Sequence, residues 1–469
     1  MPNNHNTESL RLAFYGDDFT GSTDALEVLA FAGLRCALFL DPPSAETLQQ
    51  FGGFDAIGIA GDSRNMSPAE MDDQLPAIFK ALASLNAPIV HYKVCSTFDS
   101  SPSIGSIGRV MEIARQTFGA TVIPIVAATP ALARYCVFGH LFARSGTDGK
   151  TYRIDRHPIM SVHPVTPMDE SDLARHLARQ TTLSIDKFVV ANFASDRAGM
   201  DAQLAALTAQ VKGQPDAVLF DGLTPAHMLE VGRLLDAHAR RHQPAFVVGS
   251  SGVEYALTQW WREGGQSEIS NANYASFAAV EKVLAISGSA SALSALQIDA
   301  AITAGFADVP VDASALVDDH RWEAASSKLV SSVLALLQQG RSVMLHTARG
   351  PADPRIEAMI SSLVSPSTSR EQAKHAGGRL LGLRLGLIAE AILLAAPLRR
   401  LLLSGGDTSS QITRVLAPDA LEIEARLAPG APLCRVISKQ PHLSALQIAL
   451  KGGQMGDERY FVKALQGTV

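Results

Sequence analysis

The strongest constraint on the fold is a repeated alternation of short apolar runs with stretches of helical periodicity. Runs that predict buried strands are followed by segments whose apolar residues recur at helical spacing. The predicted strands span residues 12–16, 35–40, 56–60, 89–94, 122–127, 187–191, 217–221, 245–249, 283–286, 342–346, 400–403 and 448–451. This alternation is typical of an α/β fold with a mostly parallel, layered sheet.

The length of 469 residues predicts two or three domains, at ~100–200 residues per domain. The best boundary is the stretch 264–278, which is rich in Gly, Ser and Asn and has little apolar periodicity. We therefore expect two domains, residues 1–265 and 275–469, each a mostly parallel sheet flanked by helices.

Two adjacent carboxylates follow the first predicted strand, in the stretch Leu12-Ala13-Phe14-Tyr15-Gly16-Asp17-Asp18-Phe19-Thr20-Gly21. In an open α/β sheet, ligands bind outside the carboxyl ends of the strands, so both aspartates should face a cleft. They could orient a substrate hydroxyl and accept its proton, or hold a metal ion. The equally weighted alternative is a helix cap and a solvated turn residue, because Asp is a preferred cap.

Cationic residues occur at two other strand ends of the first half. Arg64 follows the third predicted strand, and its fork geometry suits a carboxylate, although a plain surface arginine is the alternative. Lys93 precedes the hydroxyl-rich run Cys95-Ser96-Thr97-Phe98-Asp99-Ser100-Ser101-Pro102 and could bind a polyhydroxylated anion with it. A capped turn before a helix is the alternative.

The second half has three loops of small residues, each after a predicted strand. They are residues 287–291, 404–410 and 452–457, and Lys451 immediately precedes the last one. Together they resemble a phosphate cradle of backbone N–H groups with a nearby point charge, whereas each alone could be an ordinary helix cap. The common P-loop sequence is absent, and no Gly-x-Gly-x-x-Gly immediately follows a strand, which disfavours a dehydrogenase.

Composition excludes several classes of partner. A net charge of −6 and a pI near 6.1 argue against a nucleic-acid surface. Residues 380–398 have the length of a membrane span, but Arg384 and Glu390 within them predict a buried helix instead. The polar start of the chain lacks a signal-peptide pattern, and four scattered cysteines favour a reducing environment, so we expect a cytoplasmic protein without membrane contact.

In this order the motifs resemble those of a known family across more than 400 residues of the chain. They are Gly16-Asp17-Asp18-Phe19-Thr20-Gly21, Asp62-Ser63-Arg64, Tyr92-Lys93-Val94-Cys95-Ser96-Thr97-Phe98-Asp99-Ser100, His163-Pro164-Val165-Thr166-Pro167-Met168, Ser404-Gly405-Gly406-Asp407-Thr408-Ser409, Ala428-Pro429-Gly430-Ala431-Pro432-Leu433 and Lys451-Gly452-Gly453-Gln454-Met455-Gly456. The chain resembles the four-carbon acid sugar kinases, which use ATP to phosphorylate the terminal hydroxyl of acids such as threonate, erythronate and 3-oxo-tetronate.

The resemblance implies an N-terminal sugar-acid domain, a C-terminal nucleotide domain and an active site in the cleft between them. For such a transfer we expect Asp17 or Asp18 to orient the terminal hydroxyl and accept its proton. The residues implied to bind the acid are Asp17, Arg64, Lys93, Val94, Cys95 and Ser96. Those implied to bind ATP are Ser287, Gly405, Gly406, Asp407, Thr408, Gly452 and Gly453. Mg²⁺ is expected with the nucleotide; its ligands are unassigned, and Asp407 is a candidate that could instead cap the following helix.

The acceptor is less well specified. Threonate and erythronate kinases of this family tend to carry Asp-Ser-Thr-Leu-Arg-Gly after the lysine, whereas this chain has Cys95-Ser96-Thr97-Phe98-Asp99-Ser100, which is more similar to the 3-oxo-tetronate kinases. Residues 101–106 differ from that branch as well. We therefore expect a 3-oxo-tetronate kinase, with D-threonate or D-erythronate 4-kinase as the alternative.

Two other classes stay open at this point. One is a different enzyme on the same scaffold, such as a dehydrogenase or a lyase, and the other is a non-catalytic protein that binds a sugar acid and a nucleotide. The sequence leaves open whether the chain forms a homo-oligomer.

Overall fold

A computed structural model describes residues 10–51, 53–119, 122–146, 148–163, 165–209, 215–264, 274 and 276–468. Its described residues form two compact units. The first comprises those up to residue 264 except 38–40, and the second comprises residues 38–40 and those from 274 onward. Most of the predicted boundary at 264–278 lies outside the described residues, so the predicted domain limits of 265 and 275 stay predictions.

The first unit is built around a mostly parallel sheet. Its elements are β1 (Leu12–Gly16), α1 (Phe19–Phe31), β2 (Cys36–Phe39), α2 (Ala45–Phe51), β3 (Ala56–Ala60), α3 (Pro68–Ser84), β4 (Ile89–Lys93), α4 (Ile107–Phe118), β5 (Ile123–Val126), β6 (Arg134–Val137), β7 (His140–Arg144), β8 (Thr151–Arg153), α5 (Leu173–Leu177), β9 (Ile185–Phe188), α6 (Arg197–Leu207), β10 (Ala217–Phe220), α7 (Pro225–Arg241), β11 (Ala245–Gly249) and α8 (Gly252–Glu263). The strand order is β2-β3-β1-β4-β11-β5-β10-β9, and β6, β7 and β8 form a separate antiparallel sheet.

The centre of the first sheet is β1, which pairs in parallel with β3 on one side and β4 on the other. All three strands are buried along their length, because their residues are almost entirely apolar or aromatic. Tyr15 and Tyr92 stack with ring centroids 5.9 Å apart, and Phe79 of α3 meets Tyr15 edge-on. Parallel pairing places the carboxyl ends of β1, β3 and β4 at one edge of the sheet.

The second unit has its own mostly parallel sheet with an antiparallel edge. Its elements are β12 (Leu284–Ser287), α9 (Ala292–Thr303), β13 (Ala307–Pro310), α10 (Ala313–Val317), α11 (Trp322–Gln338), β14 (Val343–His346), α12 (Pro354–Leu363), α13 (Arg370–Ala395), β15 (Arg400–Ser404), α14 (Gly406–Leu416), β16 (Ala420–Ala428), β17 (Ala431–Ile437), β18 (Gln447–Lys451) and α15 (Tyr460–Gln466). The strand order is β13-β14-β12-β15-β18-β17-β16, in which β16, β17 and β18 pair in antiparallel fashion.

The core of the second unit lies where β12, β15 and β18 run side by side. Ala285, Leu402 and Ala449 occupy these strands, and Ile298 of α9 and Phe461 of α15 pack against the same cluster. Apolar side chains of this kind stabilise a domain by ~25 cal/mol per Å² removed from water. The strand ends beside this core are therefore held in fixed positions.

The predicted α/β class with mostly parallel sheets is confirmed, but the apolar runs predicted neither the antiparallel β6-β7-β8 sheet nor the exposed face of the helix at 380–398. The helix expected to be buried at 380–398 is α13, on which Leu383, Leu387 and Leu394 are exposed. Its inner face packs on α14, where Gly382 and Gly386 allow close approach. This helix therefore has apolar residues on its buried side and on its exposed side. None of the helices among the described residues has the length and apolar character needed to span a bilayer.

Candidate active site

The acidic loop after β1 lies beside the loops that follow β3 and β4. The backbone N–H of Asp17 donates to the carbonyl of Lys93 at 2.8 Å, and the N–H of Arg64 donates to the carbonyl of Asp17 at 3.0 Å. These two hydrogen bonds connect three strand ends that are distant in sequence. The structure thus brings together the aspartates, the arginine and the lysine predicted for one site.

The two neighbouring aspartates have different environments. Asp18 caps α1 by accepting a hydrogen bond from the N–H of Gly21, and its Oδ2 accepts one from Arg64 Nη1 at 2.8 Å. Asp17 is only 5% exposed, and its Oδ1 has no hydrogen-bond partner among the described residues. Burial, together with the charge of Asp18, raises the pKa of Asp17 from 3.8 to about 7. Asp17 can therefore exchange a proton near neutral pH.

Arg64 is fixed between two carboxylates of the protein itself. Its Nη1 bonds to Asp18, and its Nη2 bonds to Asp99 Oδ2 at 2.5 Å. Asp99 also accepts hydrogen bonds from Thr97 Oγ1 at 2.5 Å and Thr166 Oγ1 at 3.1 Å. Burial alone would raise the pKa of Asp99, but the charge of Arg64 and the hydrogen bonds from Arg64 and Thr97 outweigh it and lower that pKa to about 2. The guanidinium is thereby held in one orientation.

Lys93 is buried although it carries a charge. Its side chain is 2% exposed, its Nζ donates to the carbonyl of Val94 at 3.0 Å, and Asp24 Oδ2 lies 3.8 Å away. Burial would lower the pKa of Lys93, but Asp24 and the neighbouring aspartates raise it above its usual value. The lysine therefore remains a cation at neutral pH.

The remaining predicted residues of this group follow Lys93 directly. Val94 is buried, and its N–H donates to the carbonyl of Gly249 at 2.7 Å. Cys95 and Ser96 are half-buried, and Cys95 Sγ lies 3.0 Å from Thr97 Oγ1. This loop thus connects Lys93 to the segment that carries Asp99.

In the second unit, the three loops of small residues also come together. The N–H of Gly288 donates to the carbonyl of Ser404, and the N–H of Gly405 donates to the carbonyl of Lys451, both at 2.9 Å. A Cβ on Gly288 would overlap Thr408 Oγ1, and one on Gly453 would lie 2.6 Å from Ser289 Oγ. The packing of the three loops therefore requires glycine at these positions.

The loop after β15 presents a helix N-terminus to this cluster. Gly405, with a φ of +106°, precedes α14, so the first N–H groups of the helix, from Gly406 to Thr408, have no partner within the helix. Asp407 is exposed in the first turn and is not the cap, which corrects the alternative role considered for it. Ser287 Oγ, at the end of β12, is buried and has no partner among the described residues. Such an arrangement favours an anion.

Comparison with known proteins decides the family. Residues 12–257 match the model of a sugar-binding N-terminal domain, and residues 284–461 match that of a nucleotide-binding C-terminal domain. A 3-oxo-isoapionate kinase of Paraburkholderia graminis is 41% identical over 98% of this chain and 95% of its own. The chain belongs to the four-carbon acid sugar kinase family.

Other proteins agree with this assignment. A 3-oxo-tetronate kinase of Pseudomonas fluorescens is 29% identical over 97% of this chain and 96% of its own. This member of the four-carbon acid sugar kinase family is therefore a sugar-acid kinase, an enzyme that transfers a phosphoryl group to an alcohol. The dehydrogenase and lyase alternatives are thus wrong.

Solved structures share the fold of the kinase. A Salmonella typhimurium LT2 protein superposes with a TM-score of 0.74 and 24% identity, covering 97% of this chain and 98% of that one. A Haemophilus influenzae protein gives a TM-score of 0.70 and 21% identity, covering 96% and 98% of the two chains. At these identities the likeness shows the fold alone.

Three residues beside Arg64 and Lys93 were given no individual role from the sequence, although Asp99 belongs to the run predicted to bind an anion with Lys93. Asp99 and Thr166 lie within motifs that carry the family resemblance, but only the tertiary structure shows that both bond to each other and that Asp99 bonds to Arg64. Asp24 lies inside α1, where an aspartate has no distinctive local signal. Among the described residues, no group of three or more acidic, histidine or cysteine side chains is arranged to hold a metal ion.

Proposed function

We propose that this kinase transfers the γ-phosphoryl group of ATP to the terminal hydroxyl of a 3-oxo sugar acid. In this proposal the first unit binds the acid and the second binds the nucleotide, in line with the names of the two matched domain models. The observation that carries the proposal is the environment of Asp17. Its carboxylate is buried with one oxygen unpartnered, and its backbone is hydrogen-bonded to Arg64 and Lys93.

Asp17 is the residue we assign as proton acceptor. Its pKa of about 7 allows it to accept a proton at neutral pH, and a general base works best when its pKa lies near the operating pH. Asp18 is already engaged by Gly21 and Arg64, so it is better placed to orient the loop than to accept a proton. As the substrate oxygen attacks phosphorus, its proton moves to Asp17 and the bond between the γ-phosphorus and the oxygen of ADP breaks.

The cations of the first unit would hold the acid. Arg64 and Lys93 lie among Asp17, Asp18, Asp24 and Asp99, so carboxylates outnumber cations in this cluster. The hydroxyl groups of the substrate can donate to the aspartates, while its own carboxylate needs Arg64 or Lys93. In this proposal Val94, Cys95 and Ser96, which directly follow Lys93, also contact the acid.

The glycine loops of the second unit would hold ATP. The N–H groups from Gly406 to Thr408 and the loop of Gly452 and Gly453 suit phosphate oxygens, and Ser287 offers an unpartnered hydroxyl. Phosphoryl transfer depends mainly on positioning and charge neutralisation, which these groups can supply. Mg²⁺ bound to the nucleotide would neutralise phosphate charge; it usually keeps several waters and needs only one or two carboxylates, of which exposed Asp407 is a candidate. We place the reaction in the cytoplasm.

The names of the relatives support our choice of a 3-oxo acid as the acceptor. The names 3-oxo-isoapionate kinase and 3-oxo-tetronate kinase share that group, at 41% and 29% identity to this chain. Because the identity to the 3-oxo-isoapionate kinase is higher, 3-oxo-isoapionate is a candidate acceptor alongside 3-oxo-tetronate. D-Threonate and D-erythronate, which lack the oxo group, become the comparison substrates.

Steady-state release of ADP tests the acceptor. The purified protein is mixed with Mg-ATP and each of the four acids, and kcat/KM is compared across the panel. We expect turnover with 3-oxo-isoapionate or 3-oxo-tetronate to exceed that with threonate and erythronate. Higher kcat/KM for threonate or erythronate would overturn the 3-oxo assignment. Nucleotide binding without ADP release on any of the four acids would overturn the proposed class of acceptor.

A further inference from the structure

Lys451, the last residue of β18, is a cation buried in the centre of the three glycine loops. Its side chain is 0% exposed, and its Nζ donates to Ser404 Oγ and to the carbonyl of Gly452, both at 3.0 Å. Ser294 Oγ lies at 3.5 Å. The ammonium therefore contacts the last residue of β15, the first residue of the loop after β18 and the first turn of α9.

The unusual feature of this lysine is its lack of a counterion. The described residues place no carboxylate within ion-pair distance of its Nζ. The titratable group that faces it is Tyr460 of α15, whose ring centroid lies 5.8 Å away; the groups from β15 and α9 are serine hydroxyls. Burying an unpaired charge is costly, so the site is poised for an anion. Burial accordingly lowers the pKa of Lys451 to about 8.

We propose that Lys451 is the internal counter-charge for the nucleotide phosphates, and that phosphate binding draws a proton onto its side chain. The inference rests on the proposed nucleotide role of the second unit. The lysine acts through the loops it holds, because its buried ammonium supplies positive potential beneath N–H groups that face the ligand. A phosphate group favours the charged form of the lysine, and the charged lysine must favour phosphate by the same free energy.

Proton uptake during binding of Mg-ADP tests this inference. The heat of binding is measured by titration calorimetry in two buffers of different ionisation enthalpy, at pH 6.5 and pH 8. ADP is used because it cannot donate a γ-phosphoryl group. Its phosphates are already ionised at pH 8, since phosphate groups lose their second proton near pH ~6, so they do not account for proton uptake there. We expect about half a proton to be taken up per nucleotide at pH 8 and much less at pH 6.5. The dissociation constant should rise up to ~10-fold per pH unit above 8.

Two variants separate Lys451 from other titrating groups. In Lys451→Met the uptake at pH 8 should disappear and ADP binding at pH 7 should weaken about tenfold, because the positive potential beneath the phosphate-facing N–H groups is lost. Lys439→Met, at an exposed turn of the same unit, should retain wild-type uptake. Wild-type protein that binds ADP without proton uptake at pH 8 would overturn the inference even if the Lys451 variant does not fold. Absence of nucleotide binding at every pH would refute the proposed function instead.

Discussion

Asp17 and Asp18 are adjacent in sequence, but the fold gives them different chemistry. The carboxylate of Asp18 caps α1 and forms an ion pair with Arg64, whereas Asp17 is buried and has an oxygen without a partner. Asp17→Asn should therefore lower kcat by ~10²–10⁴-fold, the usual contribution of a general base. Asp18→Asn should act mainly through weaker binding of the acid, with a smaller change in kcat. The measurement is kcat and KM for each variant with the best acid of the panel.

The matched control for this pair is Asp62→Asn. Asp62 lies in the neighbouring loop after β3 and bonds to the side chain of Asn65 rather than to the acidic cluster. It should retain near wild-type turnover. If Asp17→Asn also does so, the assignment of the base is wrong.

The pH dependence of catalysis should follow the same carboxylate. Since Asp17 must be ionised to accept a proton and its pKa is about 7, kcat/KM should rise between pH 6 and pH 8. A pH profile of the wild-type enzyme checks this. A flat profile over that interval would contradict the assignment.

Stability should show the opposite trend at Asp17. Its folded-state pKa lies above the unfolded value of 3.8, so its contribution to stability is full below pH 3.8 and is lost as the pH rises through about 7. At ~1.4 kcal/mol per pKa unit, the ionised carboxylate costs a few kcal/mol at pH 8. Asp17→Asn should thus raise the melting temperature more at pH 8 than at pH 5. A scan that finds equal or negative shifts would rule out this cost.

Local sequence predicted some residues of the candidate site and missed others for a physical reason. Asp17, Arg64 and Lys93 each stand directly after an apolar run, so the rule for parallel strand ends applies to them. Asp99 joins the site through Arg64 and Thr166, which are 35 and 67 residues away in sequence. Such pairings depend on tertiary structure and have no local signal.

Among the elements, the glycine loops of the second unit are constrained by each other. Gly288→Ala places a Cβ against Thr408 Oγ1, which belongs to the first turn of α14. We expect the loops to separate and the KM for ATP to rise at least ~10-fold, because the N–H groups would leave their preorganised positions. Gly378→Ala is the control: its Cβ meets no atom within 4 Å, and alanine is favoured within α13. An unchanged KM for ATP in Gly288→Ala would exclude these loops from the nucleotide site.

For some elements, the pattern of apolar residues is sufficient to predict where the element begins and ends. Strands such as Ala56–Ala60 and Ala245–Gly249 have the predicted bounds, since each is a short apolar run between polar loops. In α13 the apolar pattern predicted the helix but not its exposed leucines, because a helix packed through glycines on one side can still carry apolar residues on the other. In β16 the alternation of Ala420-Leu421-Glu422-Ile423-Glu424 is typical of a strand, and this signal was missed.

On the scale of the whole molecule, the acid and the nucleotide are proposed to bind to different units. Lys93→Met should raise the KM for the acid at least ~10-fold, because it removes a buried cation, and should leave the affinity for Mg-ADP unchanged. Gly288→Ala should show the reverse pattern. Calorimetry for ADP together with steady-state kinetics for the acid checks both. Loss of ADP affinity in Lys93→Met would contradict the division of roles.

The motif order along the chain predicted the family, since several weak loops in one sequence order are specific together. The predicted position of the active site between two domains, and the domain limits themselves, stay predictions. The choice among the acids stays a prediction, because the motif after Lys93 resembles that of the 3-oxo-tetronate kinases only in part.

The central claim is that a phosphoryl group passes directly from ATP to a sugar-acid hydroxyl. A ³¹P NMR time course with Mg-ATP and a 3-oxo sugar acid tests it most directly. We predict that the γ-phosphate signal declines while signals of ADP and a phosphate monoester coupled to the methylene protons of the terminal carbon grow in equal amounts. Growth of inorganic phosphate alone, or an unchanged ATP spectrum with every acid of the panel, would contradict the account.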